Sequence, residues 1–511
     1  MKFYTKMQLV MLALALLGSA GWTEEKNGAE EQKAVDEIIE TTHSVLIQGV
    51  TVSYRARTGT MVMKKEDGSP RAKLFFIAYE KEDESTQAKR PITFAFNGGP
   101  GASSVWLHLG VFGPKRVDLD EDGYPTSLPF DLVDNDCSIL DQTDLVFIDP
   151  ISTGYSRVVE ETNPSEFHGI REDIESVGEF IRLYTTRYQR WASPKFLAGE
   201  SYGTTRASGL SNYLLDRHGL YLDGIILVSA ILDFQTILFH AGNDLPHILY
   251  LPSYTASAWY HQRLEADLQT KPLEEVVQEA RVFALGEYAS ALLQGSRLPN
   301  ATRHTVATRL ARLTGLDAEY IERSQLRIEN SRFGKELLRE AGRTLGRFDS
   351  RYKGIDRDDA GEGAEYDPSF NVVQGAYTAA FNAYVRAELQ YVTDLPYEIL
   401  TGRVHPWNWG NYINRYVNVA EDLRQAMVKN PYMQILVQCG YYDMATPFLA
   451  AEHTFDHMLI HPTIQDHVRF EYYDAGHMMY LHKPSLRKMK ADLDRFLQQA
   501  VETSQNPVLR Y

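Results

Sequence analysis

The chain has 511 residues, of which 44% are hydrophobic and 23% charged, enough for a large buried core in one big domain carrying an insertion, or in two or three ordinary domains. Its formal net charge is −16, from 68 acidic and 52 basic side chains. An acidic surface repels phosphate backbones and anionic lipid, so nucleic acid is not an expected partner.

The N-terminus reads MKFYTKMQLVMLALALLGSAGW. Lys2 and Lys6 make a positive n-region, Met7 to Leu17 a short apolar run, and Gly18-Ser19-Ala20 a small-residue cleavage site. Together they predict a secretory signal peptide over residues 1–20. The run is short for a bilayer span and no cysteine follows it for lipid attachment, so no stable membrane anchor is expected. The expected location is therefore periplasmic or secreted, and loss of the two leader lysines takes the formal charge from −16 to −18. Cys137 and Cys439 are the two cysteines. They allow one bridge at most, stand in no metal-type spacing, and fit a large bacterial-type exported enzyme better than a small disulfide scaffold.

After the leader, Thr23 to Glu40 is polar and acidic and reads as a mobile or helical lead-in. Val50 to Ala56, Thr60 to Lys64 and Ala72 to Tyr79 have strand character and predict an antiparallel start. Short apolar runs follow, each ending in a Gly- or Pro-bearing loop: Ile92 to Phe96, Asp144 to Ile148, Lys195 to Ala198 and Gly224 to Val228, then Gln434 to Val437 and Val468 to Tyr473. Runs of this length predict buried central strands. Helical stretches between them, such as Pro164 to Arg187 and Ser485 to Ala500, give the alternation of an α/β sheet with helices on both faces. From Asp233 to Thr401 the pattern is mainly helical, as in Leu273 to Leu285, Ala301 to Thr314 and Val372 to Val392. Strand-type sequence resumes afterwards and carries chemistry. The reading is a core over residues 21–232 and 402–511, interrupted by a helical cap over 233–401.

The central motif is Gly199-Glu200-Ser201-Tyr202-Gly203, a G-x-S-x-G pattern between a strand-like and a helical stretch. A serine on so sharp a turn is lifted above the sheet edge, needs small neighbours, and sits where helix N-terminal N–H groups point at an incoming carbonyl oxygen. A serine hydroxyl needs a base, and His477 stands on a loop after the last strand-like run, beside Gly476. The base needs a carboxylate, and Asp443 follows the run ending in Val437; Asp474, on the histidine's own loop, is the second candidate. Ser201, Asp443, His477 is the chain order of α/β-hydrolases. Asn97-Gly98-Gly99-Pro100-Gly101, straight after Phe96, is a further turn whose N–H groups suit an oxyanion hole. Neither a G-K-[ST] nor a G-x-G-x-x-G accompanies it, which argues against a phosphate loop.

Taken in order, NGGPGASS (Asn97–Ser104), DPISTGYS (Asp149–Ser156), GESYG (Gly199–Gly203), Gly440–Asp443 and Gly476–His477 resemble the serine carboxypeptidase family. The resemblance runs from Phe75 to the C-terminal helix and is weakest in the cap. It implies an α/β-hydrolase fold, a mixed and mostly parallel sheet flanked by helices with a helical cap insertion. It also implies removal of single C-terminal residues from peptide substrates by acyl-enzyme chemistry, with no cofactor and no metal. By the same resemblance Ser201 is the nucleophile, His477 the general base and acid, and Asp443 its orienter. The N–H groups of Gly99 and Tyr202 form the oxyanion hole, and Asn97, Gly98 and Glu200 bind the substrate's terminal carboxylate. Such a Glu must be protonated to donate, so activity is expected to favour acid. Two departures stand out. Ala102 replaces a family cysteine, and Val111 occupies the place of a second glutamate that many members carry. Two other readings stay open on sequence alone: an esterase or acyltransferase on the same scaffold, and a non-catalytic binding or protective protein.

Overall fold

The computed structural model describes residues 34–82, 89–412 and 414–505; the signal peptide read over 1–20 lies outside them. One sheet of ten strands organises the described chain. Its strands are β1 (Glu37–Ile47), β2 (Val50–Lys64), β3 (Pro70–Lys81), β4 (Ile92–Phe96), β5 (Asp144–Ile148), β6 (Arg157–Val158), β7 (Lys195–Glu200), β8 (Gly224–Val228), β9 (Gln434–Gly440) and β10 (Val468–Tyr473). The order across the sheet is β1-β2-β3-β5-β4-β7-β8-β9-β10, with β6 paired to β3. The pairs β1/β2, β2/β3, β3/β5 and β3/β6 are antiparallel; from β5 across to β10 every pair is parallel.

Three sequence expectations change here. The described part of the lead-in is extended, because β1 begins at Glu37 and pairs with β2 along its whole length. The two segments read at 50–56 and 60–64 are one strand. The glycine that breaks the apolar pattern, Gly59, is needed because a Cβ there would overlap the Glu37 carbonyl on β1. The β1/β2 connection is the two-residue turn Gln48-Gly49, both at positive φ, the backbone that fits the twist of a hairpin. Third, β10 is a half-buried edge strand rather than a buried central one, since it pairs with β9 alone.

The parallel strands β4, β5, β7, β8 and β9 are buried along their whole length, which accounts for their unbroken apolar runs. Alternate residues feed opposite faces. Phe94, Leu197, Ile225 and Val437 pack with Phe180 of α1 (Ile170–Arg187), Leu210 of α2 (Tyr202–His218) and Leu249 of α3 (Leu245–Tyr260). Ala95, Phe196, Ile226 and Leu436 pack with Phe381 of α4 (Pro368–Ala387) and Phe496 of α5 (Lys483–Gln505). The segment between β8 and β9, mainly helical as the sequence predicts, thus joins the core on both faces. It also carries a short antiparallel pair, Thr344–Leu345 with Lys353–Gly354. Cys137 and Cys439 are both buried and free, so they form no bridge. Among the described residues no helix is long and apolar enough to cross a membrane.

At the N-terminal edge of the sheet a buried ion cluster fixes the start of β5. Asp144 is fully buried and accepts from Arg190 Nη1 at 2.7 Å and Arg90 Nε at 2.8 Å. Removing the carboxylate leaves the buried Arg190 guanidinium uncompensated. Asp144→Ala is therefore expected to lower the unfolding free energy by about 3–5 kcal/mol, measured by chemical denaturation; a change below about 1 kcal/mol would show that the cluster is screened by solvent.

Candidate active site

The strand ends of the parallel region converge on one edge of the sheet. The turn Asn97–Gly101 leaves β4, Ser201 leaves β7, Ser229 leaves β8, Asp443 leaves β9 and His477 leaves β10. Because β4, β7, β8, β9 and β10 are consecutive neighbours, residues scattered over 380 positions of sequence arrive side by side. Ligand clefts of open parallel sheets lie at this carboxyl edge.

Ser201 sits between β7 and α2 with φ 60 and ψ −129, a backbone conformation that costs on the order of 1–3 kcal/mol in a non-glycine residue. Its N–H donates to the Val228 carbonyl at 3.0 Å, which ties the elbow to β8. The flanking glycines are obligatory. A Cβ on Gly199 would overlap the Gly203 carbonyl, and one on Gly203 would press on the Phe96 carbonyl.

His477 is buried, and its Nδ1 lies 2.8 Å from Asp443 Oδ2. Its carbonyl accepts from Ser229 Oγ at 2.7 Å and its N–H donates to the Phe348 carbonyl at 2.6 Å. Asp443 is fully buried; its Oδ1 accepts from the N–H groups of Ala445 at 2.7 Å and Thr446 at 2.9 Å. The Thr446 hydroxyl reaches Oδ2 at 2.8 Å. Of the two candidate orienters, the structure brings Asp443 to the imidazole. Asp474 is exposed, and its carbonyl accepts from Arg351. Burial pushes the His477 imidazole down, but the Asp443 charge and hydrogen bond, with a further contribution from Glu200, outweigh it and hold the ring above its ordinary value.

The Asn97–Gly101 turn lies against the start of α2. A Cβ on Gly98 would overlap the Tyr202 nitrogen, so only glycine fits. Tyr202 is the first residue of α2, and its N–H therefore lacks an intrahelical acceptor. Gly99, at φ 100, turns the chain beside it. Buried Arg206 holds the turn in place: Nη1 donates to the Asn97 carbonyl at 2.6 Å while Nε pairs with Asp173 at 2.7 Å.

Glu200 is 3% exposed. Asn97 Oδ1 accepts the Leu107 N–H at 3.1 Å, so its amide nitrogen is the donor left for its hydrogen bond to Glu200. The Tyr480 hydroxyl donates to Glu200 Oε2 at 2.8 Å. Burial is the largest influence on this carboxyl and pushes it up to about 7, against the His477 charge and the two hydrogen bonds.

Several residues that shape the site went unread in the sequence. Thr446, three positions after Asp443, had a local signal, since a side-chain oxygen capping N–H groups two and three residues on is a common loop device. Phe348 and Asp349 had none. They come from the segment between β8 and β9, yet Phe348 stacks on His477 with ring centroids 4.9 Å apart, and Asp349 accepts the Gly476 N–H at 2.9 Å. The segment 399–401 pairs with the turn through Ser103 N–H to the Ile399 carbonyl and Thr401 N–H to the Gly101 carbonyl. Among the described residues no cluster of His, Cys, Asp and Glu could hold a metal ion.

Comparison with known proteins gives a consistent pattern. The family model described as serine carboxypeptidase matches residues 49–481. Serine carboxypeptidase-like 33 of Arabidopsis thaliana is 31% identical over 150 residues, 28% of this chain and 29% of that protein. The pheromone-processing carboxypeptidase KEX1 of Saccharomyces cerevisiae is 30% identical over 162 residues, 30% of this chain and 21% of that protein. The matched stretch thus spans less than a third of either relative's length. The crystal structure of a KEX1 form, a prohormone-processing carboxypeptidase from Saccharomyces cerevisiae, superposes with a TM-score of 0.53 at 17% identity, covering 87% of this chain and 91% of that one, which is a likeness of fold.

The raised Glu200 carboxyl links stability to pH. Its folded value lies above the ordinary 4.5, so its neutral burial stabilises fully at acid pH and that contribution is lost as pH rises through 7. Glu200→Gln removes the titration. The variant is expected to match the parent near pH 4 and to exceed it by on the order of 2–3 kcal/mol near pH 9, in urea unfolding at each pH. A pH-independent difference would mean that the carboxyl is solvated.

Proposed function

The chain belongs to the serine carboxypeptidase family, and on that premise we propose that it releases single C-terminal residues from peptides through an acyl-enzyme on Ser201. The observation that carries the proposal is Glu200. A buried carboxyl pushed up to about 7 precedes the nucleophile by one residue and is hydrogen-bonded to Asn97 and Tyr480; protonated, it can donate to a peptide's terminal carboxylate.

The chemistry proposed assigns each residue a role. Ser201 Oγ attacks the carbonyl of the last peptide bond while His477 takes its proton. Asp443 keeps Nδ1 protonated and the ring aligned, and stabilises the imidazolium that forms. The tetrahedral oxyanion is met by the N–H groups of Gly99 and Tyr202. His477 returns the proton to the departing amine, the C–N bond breaks, and water hydrolyses the ester by the same route. Protonated Glu200, with Asn97 and the Gly98 backbone, binds the free carboxylate. Ionised, Glu200 repels it.

Export to the periplasm or the medium is part of the same proposal and rests on Lys2, Lys6 and the Met7–Leu17 run. Mass spectrometry of the mature N-terminus in the extracellular or periplasmic fraction tests it; an intact Met1 there would reject cleavage at residue 20.

Two measurements test the activity. A fluorophosphonate is expected to label the enzyme at Ser201, and Ser201→Ala to lose both label and turnover, while Asp443→Asn lowers kcat about 10³–10⁴-fold. Free-acid peptides are expected to lose their last residue and C-terminally amidated ones to resist. Equal cleavage of both would replace the carboxypeptidase reading with a general esterase or amidase.

A further inference from the structure

Val111 stands where the resemblance leads one to expect a second acid beside Glu200, yet Glu200 has a partner, Tyr480. Tyr480 lies on the turn Met479–Leu481, just past His477, and is 2% exposed. Its hydroxyl donates to Glu200 Oε2 at 2.8 Å. Room for the ring comes from Gly110, since a Cβ there would overlap the Tyr480 ring and crowd the Tyr377 hydroxyl. The hydrogen bond also joins two separate pieces of the site, the loop after β10 that carries His477 and the strand β7 that leads into Ser201.

Resting on the carboxypeptidase reading, we propose that Tyr480 is a positioning residue that holds Glu200 through its hydroxyl and sets the pH range over which the site accepts a peptide's terminal carboxylate. A phenol does this differently from a second acid. Two neighbouring carboxyls share a proton and titrate as a pair. Burial and the nearby Glu200 charge push the Tyr480 phenol well above its ordinary value, so it remains a neutral donor throughout the working range. It always donates, which favours the ionised form of Glu200 and opposes the effect of burial. The other groups facing Glu200 are Asn97 after β4, Tyr377 on α4, and the His477–Asp443 pair. Asn97 is neutral, and burial and the Glu200 charge keep Tyr377 protonated. His477, with its Asp443 partner, faces the attacking serine in the proposed chemistry, so a change in its protonation reaches every peptide substrate, free or amidated.

The test compares KM for a free-acid peptide and its amide between about pH 5 and 9 in the parent and three variants. In the parent, KM for the free acid rises through a midpoint as Glu200 ionises. Tyr480→Phe is expected to move that midpoint up by about one pH unit, with the effect in KM for the free acid and absent from the amide. Replacing Tyr480 by 3-fluorotyrosine keeps the ring and strengthens the donor, so the midpoint is expected to move down; this variant decides the matter if the phenylalanine protein does not fold. An unmoved midpoint, or one moving the opposite way in either variant, overturns the proposal for Tyr480. Glu200→Gln separates this from the reading beneath it. If that variant leaves the free-acid KM profile unchanged, the carboxylate site itself is wrong; if it flattens the profile while the Tyr480 variants do nothing, only the role of Tyr480 fails.

Discussion

The close approach of the Asn97–Gly101 turn to the start of α2 is the contact on which the rest of the site depends. It brings an N–H-bearing turn against a helix N-terminus with no room for a side chain between them, and the bare positions Gly98 and Gly203 permit it. Once these backbones touch, the strained Ser201 conformation is fixed from both sides, by the turn and by the hydrogen bond to Val228 on β8. Arg206 then locks the contact. Its guanidinium is buried against the Phe96 and Tyr202 rings, 5.2 and 5.4 Å from their centroids, with its charge met by Asp173. A buried ion pair is weak evidence for stability by itself. Here its value is positional, because the Asn97 carbonyl it grips belongs to the turn that must not move.

The segment between β8 and β9 is part of the same construction rather than a cover laid over it. The stretch Arg347 to Ser350 is bonded to both the Asp443 loop and the His477 loop. Phe348 accepts the His477 N–H, Ser350 donates its N–H to the Tyr442 carbonyl, and the Arg347 carbonyl accepts the Met444 N–H. A Cβ on Gly476 would overlap the Phe348 carbonyl, so the histidine loop is pinned between the sheet and that segment. The Asp443 and His477 loops are thus held by residues 347–350 as well as by the sheet edge.

What could be read in the sequence, and what could not, follows from the range of the interactions. The parallel strands were legible because burial on both faces forces unbroken apolar runs, and the strand-end motifs because each needs a local backbone shape that few residues allow. The strand β1 was missed because its alternation is faint, with exposed and half-buried side chains along most of its length; pairing with β2, not its own hydrophobicity, makes it a strand. Asp443 and Asp474 were separated in the sequence only by an argument from loop spacing, while in space one is fully buried and the other exposed. Tyr480 could not have been found. A tyrosine on a loop carries no local signal, and its meaning comes from a carboxyl 280 positions away.

Glu200 and His477 impose a further condition on the proposed chemistry. Each favours the other's charged form: the His477 cation lowers Glu200, and the Glu200 anion raises His477. With one proton between them, the pair can exist as carboxylate and imidazolium or as neutral acid and neutral imidazole. The second arrangement is the competent one, because the acid must donate to the substrate carboxylate and the imidazole must accept from Ser201. Passing from one to the other needs no proton from solvent. A terminal carboxylate arriving beside Glu200 disfavours the Glu200 anion, so binding itself selects the arrangement in which His477 is a base. With no proton on the pair the substrate carboxylate is repelled, and with two the base is blocked. The Glu200 side of this balance acts on a free terminal carboxylate alone, whereas the His477 side acts on every peptide substrate.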